Sequence, residues 1–196
     1  MVRVDLTRTL VCLVLGALSV TALSACAPTG PTIPGEYPDV TLADTKSPAQ
    51  LLRNEAAARL PAEVIDQIIE AEDASVACLS ESDDPAGVVR SWHSTVDVTI
   101  QGDADVATLV ADLVASFAEQ GWAVRDLGGN ATVSQKLLES EGSLADIQVS
   151  GLTPDPGATS VSLEEVVEQP TVKIAVHGPC VRTDGTESDE VTALEK

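Results

Sequence analysis

Residues 88–122 read VVRSWHSTVDVTIQGDADVATLVADLVASFAEQGW, and the two halves of this stretch carry different periods. In the first half Val88, Trp92, Val96, Val98 and Ile100 share one face of an extended chain, and Ser91, His93, Thr95, Asp97 and Thr99 share the other. Successive side chains of a strand point to opposite faces, so this alternation predicts a half-buried strand over 88–100. Arg90 and Ser94 interrupt its apolar face near the start. In the second half Val106, Leu109, Val110, Leu113, Val114 and Phe117 recur at helical spacing, which predicts an amphipathic helix within 103–120. Asp103 and Asp105 suit its positive N-terminal end, and Gly121 suits the turn that stops it.

Outward from this pair, residues 122–127 read as a strand and Gly128-Gly129-Asn130 as a turn. Three more strands are predicted at 131–139, 143–152 and 171–177, with a turn at Thr153-Pro154-Asp155-Pro156-Gly157. Residues 161–167 fit either a strand extension or a helical turn. Upstream, Ser47-Pro48-Ala49-Gln50 has the form of a capping box with proline at the first helical position, predicting a helix over 48–59. Pro61 then opens a second predicted helix, whose apolar stripe is Val64, Ile65, Ile68 and Ile69. A short apolar piece at 76–79 holds Cys78, and 80–87 is an acidic loop. Helices segregated from a run of strands predict an α+β fold. The expected form is a two-layer sandwich, with a mostly antiparallel sheet of about four to five strands and helices on one face.

The 196 residues include 31 acidic and 11 basic side chains, a formal charge of −20. Nucleic-acid binding is excluded on this composition, since neutralising phosphates needs clustered Lys and Arg. Tyr37, Trp92, Phe117 and Trp122 are all the aromatic side chains there are, too few for a stacking surface. An apolar content of 44% argues against a disordered chain.

The N-terminus reads as an address. Arg3 and Arg8 precede an uncharged apolar run at 10–23, too short for a permanent membrane span and suited to a signal peptide. Leu23-Ser24-Ala25-Cys26 follows directly and resembles the lipobox of bacterial prolipoproteins. That resemblance implies a diacylglyceryl group on the Cys26 sulfur, palmitate-type acylation, cleavage just before Cys26 and a place on the outer face of the cell membrane. An ordinary secretory signal cut after Ala25 or Ala27 is the alternative. Under the lipoprotein reading Cys12 leaves with the signal and Cys26 carries lipid, which leaves Cys78 and Cys180 in a compartment that permits oxidation. They are expected to form a disulfide; two buried free thiols are the alternative. The resulting organisation is a signal peptide (1–25), a lipidated cysteine with a proline-rich tether (26–47), one α+β domain (48–183) and an acidic flexible tail (184–196). The lipobox, the proline-rich spacer, Gly121-Trp122 and Cys180-Val181-Arg182 together are similar to small envelope lipoproteins of high-GC Gram-positive bacteria. The resemblance carries over no functional residue beyond Cys26.

No nucleophile elbow, zinc-protease helix, phosphate loop or dinucleotide fingerprint occurs in the sequence. His93 and His177 are the 2 histidines, and without a triad motif each reads as structural. With so few His and Cys, no metal and no cofactor is expected. The carboxylate pairs Asp83/Asp84, Glu164/Glu165 and Asp189/Glu190 carry no inference in so acidic a chain. The stretches 80–84 and 184–189 offer oxygen ligands without the spacing of a calcium loop. Trp92, Phe117 and Trp122 are the candidate floor of a ligand pocket, with core packing as the competing role. The expected function is therefore a membrane-anchored extracytoplasmic lipoprotein, a non-catalytic binding or envelope-structural module. Its expected partners are the membrane, through the anchor at Cys26, and an envelope protein or small ligand. The alternatives are a carrier of a small apolar or lipid-like ligand, and an enzyme of unrecognised type.

Overall fold

The long strand predicted from its alternation is the axis of the sheet. The computed structural model describes residues 39–69, 72–102, 104–130, 132–154 and 169–196, which lie in one compact unit. The predicted strand is β3 (Val89–Ile100), 12 residues long and paired along both edges. On one edge lie β1 (Ile65–Ile69) and β2 (Asp73–Ala77); on the other lie β7 (Thr171–His177) and β8 (Val181–Arg182). Beyond β7 the sheet continues through β6 (Asp146–Leu152), β5 (Val133–Glu139) and β4 (Ala123–Gly129). Every pairing is antiparallel. The remaining elements are α1 (Leu42–Ala58), α2 (Val106–Ala118) and α3 (Asp189–Leu194). Among the described residues no helix is long and apolar enough to cross a membrane.

An α+β fold with helices packed against a sheet is what forms, but the two-layer sandwich of about four to five strands is overturned. Among the described residues the sheet has eight strands and is open. The surplus comes from segments read otherwise. Val64, Ile65, Ile68 and Ile69 do not form a helical stripe: a 3-10 turn at Ala62–Val64 leads into β1, which pairs Ile65 with Ile100 and Ile68 with Val98. Branching at Cβ costs rotamer freedom in a helix and suits a pleated strand, and the free edge of β3 supplies the hydrogen bonds. The piece around Cys78 extends backwards into β2, and β8, with 2 residues, is too short to show any period.

Helix α1 starts six positions before the predicted point, inside the stretch expected as tether. Thr41 Oγ1 accepts from the Asp44 amide at 3.3 Å, and the Asp44 carboxylate accepts from the Thr41 amide at 2.9 Å. This reciprocal capping box satisfies helix-end donors that Ser47 would otherwise have served, and Pro48 is carried inside the helix. The segment expected as a flexible tail contains α3: Val191 is buried, Ser75 Oγ donates to Glu195 Oε1 at 2.7 Å, and Lys46 Nζ donates to the Leu194 carbonyl. Residues 161–167 lie outside the described residues.

The core lies between the helices and one face of the sheet. Val96, Val98 and Ile100 of β3, Val172, Ile174 and Val176 of β7, Ile147 and Val149 of β6, and Leu138 of β5 form it with the α2 stripe and with Leu42, Ala49 and Ala56 of α1. Gly151 in β6 lets α2 approach: a Cβ there would lie 2.9 Å from Val106 Cγ1 and 3.0 Å from Val110 Cγ2. The disulfide Cys78–Cys180 joins the end of β2 to the start of β8, with Cα atoms 6.1 Å apart and 102 positions between them. It therefore ties together the strands on the two edges of β3.

Removing this bond by Cys78→Ser with Cys180→Ser is expected to cost about 2–5 kcal/mol, because a long loop is released in the unfolded chain. Chemical denaturation of the pair of variants against the wild type checks it; an unchanged midpoint would show the bond to be idle. Phe117→Ala, which empties a fully buried ring site, is expected to cost about 3–5 kcal/mol in the same measurement.

Candidate functional site

One face of the sheet, called the helix-free face because no helix among the described residues packs on it, carries the odd-numbered residues of β3. His93 stands directly opposite His177 of β7, and His177 stands opposite Asp146 of β6. These three side chains form a row at one end of the face, and Glu139 closes β5 beside them. His93 Nε2 and His177 Nδ1 are 3.3 Å apart, with the rings edge-on and their centroids separated by 4.3 Å. One hydrogen at most lies between these nitrogens, so at least one ring is the neutral acceptor.

Next to this row is a depression of about 740 Å³, open to solvent. Asp146, His177 and Glu139 line it, with the turn 140–145 as one wall and Gly178-Pro179-Cys180 as the other. The size is that of a small-molecule cleft. Arg125 Nη2 lies 3.4 Å from Glu139 Oε1. Two positions along the face, beyond Thr95 and Ala175, Lys173 pairs with Asp97 at 3.6 Å.

Burial and neighbours set the charges. Partial burial pushes the His93 ring down to about 4, with the nearby His177 adding to the effect. Burial also lowers His177 below the usual histidine value. Asp146 moves up from the ordinary carboxyl value, first through burial and then through the negative charge of Glu139, against the pull of Arg125.

The predicted site residues divide. Cys26 lies outside the described residues. Cys78 and Cys180 are bonded, and Cys180 lines the depression. Trp92 and Phe117 are fully buried in the core; Trp122 is partly buried and packs edge-on against Phe117 at 5.3 Å. None of the three lines the depression. Asp97 faces Lys173 rather than a histidine, so among the described residues no serine–histidine–carboxylate arrangement forms through Asp97. Asp84 is buried and accepts the Val89 amide at 2.7 Å, while Asp83 accepts from Ser80 Oγ at 2.5 Å, so both serve their loop. Glu164 and Glu165 lie outside the described residues. Asp189 and Glu190 occupy the first turn of α3, where negative charge is favourable. Among the described residues no three His, Cys, Asp or Glu side chains converge on one metal position. The residues missed from the sequence are Asp146 and Glu139, and the missed relationship is the meeting of the two histidines. No family model matches this chain, and neither a curated protein nor a solved structure is similar to it.

Acid should weaken the fold through the histidine pair. Both rings bind protons less readily in the folded chain than in the unfolded one, whose histidines titrate near 6.5. The stability they contribute is present above that value and is lost as pH falls from about 6.5 through about 4. Asp146 acts with the opposite sign: its raised value is a penalty at neutral pH that is relieved on protonation. Denaturant midpoints taken between pH 7.5 and 4.5 should fall for the wild type and fall less for His93→Gln. Parallel slopes would show that the ring carries no linked proton.

Proposed function

We propose that this protein is an extracytoplasmic, non-catalytic binding module held at the membrane by a lipid on Cys26, with the helix-free face of its sheet turned to a partner. The observation that carries the reading is the Cys78–Cys180 disulfide, which joins the strands on both edges of β3. Such a bond forms and persists in an oxidising compartment and is rare in a reducing cytosol. The lipobox-like Leu23-Ser24-Ala25-Cys26 supports the address, and the prolines that follow it support a spacer. Stable attachment to a bilayer takes more than one acyl chain, which a diacylglyceryl cysteine supplies. The strong negative charge favours a domain held off an anionic bilayer rather than laid flat on it. Trp92 and Phe117, which an apolar cargo between helices and sheet would have to displace, are fully buried in the core. The open face, by contrast, presents polar cross-strand pairs and the depression beside Asp146.

The test is metabolic labelling with an alkyne fatty acid and detergent-phase partitioning in a bacterial host that processes lipoproteins. Wild-type protein is expected to take up label and enter the detergent phase. Cys26→Ala is expected to lose the label and to leave the membrane at mature size or to accumulate as precursor. A Cys26→Ala protein that is still labelled, or a wild type that never is, overturns the anchor.

A further inference from the structure

We infer that His93 and His177 form a cross-strand chelate for a divalent ion of the copper–zinc class, beside the depression that His177 lines on the helix-free face. These are the chain's 2 histidines, 84 positions apart in sequence, and the sheet sets them side by side. The ladder places them where side chains come closest. Gly178 donates its amide to the Trp92 carbonyl at 2.8 Å, and Ile100 donates to the Pro170 carbonyl at 2.8 Å, so the even positions of β3 bond to β7. His93 and His177 are then a non-hydrogen-bonded pair, the type with the shorter Cα separation and the closer side chains.

The span between the nitrogens fits a metal. Two imidazole nitrogens held at about 2.0–2.1 Å from one tetrahedral ion stand about 3.3–3.4 Å apart. His93 Nε2 and His177 Nδ1 stand 3.3 Å apart. To bind one ion, the rings give up the hydrogen bond between them and turn so that both lone pairs aim at a common point. Imidazole suits copper, nickel and zinc, and the divalent order puts copper first. Asp146, opposite His177, and Glu139 beside it supply negative charge without completing a cage, so water fills the remaining positions. The site is thus a two-ligand chelate, open on the solvent side and able to accept a donor from a ligand lodged in the depression. This inference does not depend on lipidation of Cys26.

The experiment uses the full-length protein without a histidine tag, in detergent, with excess Mg²⁺ present to occupy the acidic surface. Cu²⁺ is titrated against the two histidine ring signals by NMR, and Zn²⁺ by calorimetry. Both ring signals are expected to broaden together by one equivalent of Cu²⁺, with electron paramagnetic resonance showing coupling to two nitrogens. His93→Gln and His177→Gln are each expected to weaken affinity by about tenfold or more, no less than the loss of an outer-shell partner costs. The ring signals of the unmutated protein keep the test independent of whether a variant folds. Ring signals unmoved at one equivalent, binding abolished by Mg²⁺, or folded variants that bind as tightly as wild type would each overturn the chelate.

Discussion

β3 must satisfy backbone donors and acceptors along both edges for 12 residues, and the rest of the molecule is arranged to meet that demand. No single neighbour does it. β1 and β2 divide one edge between them, and β7 and β8 divide the other. Pairing is thinnest at the Val89 end, where β2 has finished at Ala77 and β8 contributes 2 residues. The disulfide lies there, so a covalent bond holds the chain where ladder bonds are few. Side chains reinforce the same end. Asp84 takes the Val89 amide, and the buried Arg90 guanidinium donates to the Ser75 carbonyl at 2.7 Å and to Thr186 Oγ1 at 2.8 Å. Through Ser75 and Glu195 that network reaches the C-terminal segment, which is why an acidic stretch with one buried valine folds down.

The edges of the sheet explain part of what the charge does. Apart from Leu51 on α1, the exposed large apolar side chains among the described residues fall on the outermost strands: Ile68 and Ile69 in β1, Val76 in β2, Val124 and Leu127 in β4. Unpaired edges with apolar side chains invite another chain to add a strand. Two features oppose this. Bulges break the register of β1 at Ile65/Gln67 and of β4 at Asp126/Gly128, which twists a flat edge away. A formal charge of −20 also makes two copies repel before their edges meet.

Elements whose period is local were legible in the sequence. β3, α2 and β7 were predicted within a few residues, because alternation or helical spacing runs uninterrupted through each. The disulfide was legible too, by cysteine arithmetic that rested on the lipobox resemblance. What failed depended on partners elsewhere. Val64, Ile65, Ile68 and Ile69 fit a helix by spacing, and only the vacant edge of β3 decides for a strand. The α1 start turns on Thr41 and Asp44 bonding each other, whereas the Ser47-Pro48 pattern points to a later start. His93 was placed correctly on the polar face, yet nothing local says that β7 lies beside β3 or that the register brings residue 177 to residue 93. Asp146 has no motif at all; its standing comes from being the next position across.

Register links the core to the candidate site. A shift of one residue in β3 against β7 would carry its whole apolar set to solvent and turn His93 beneath the helices. Trp92, Val96, Val98 and Ile100 prevent that shift, because each is buried on the helix side. On β6 the same restraint comes from Gly151, whose missing side chain admits Val106 and Val110 at one position along the strand. The spacing of the two imidazoles is therefore set by packing on the opposite face of the sheet, not by contacts in the row itself. Substitutions in the α2–β6 contact should disturb the histidine pair although they touch neither ring, whereas exposed changes at the β4 edge should leave it in place.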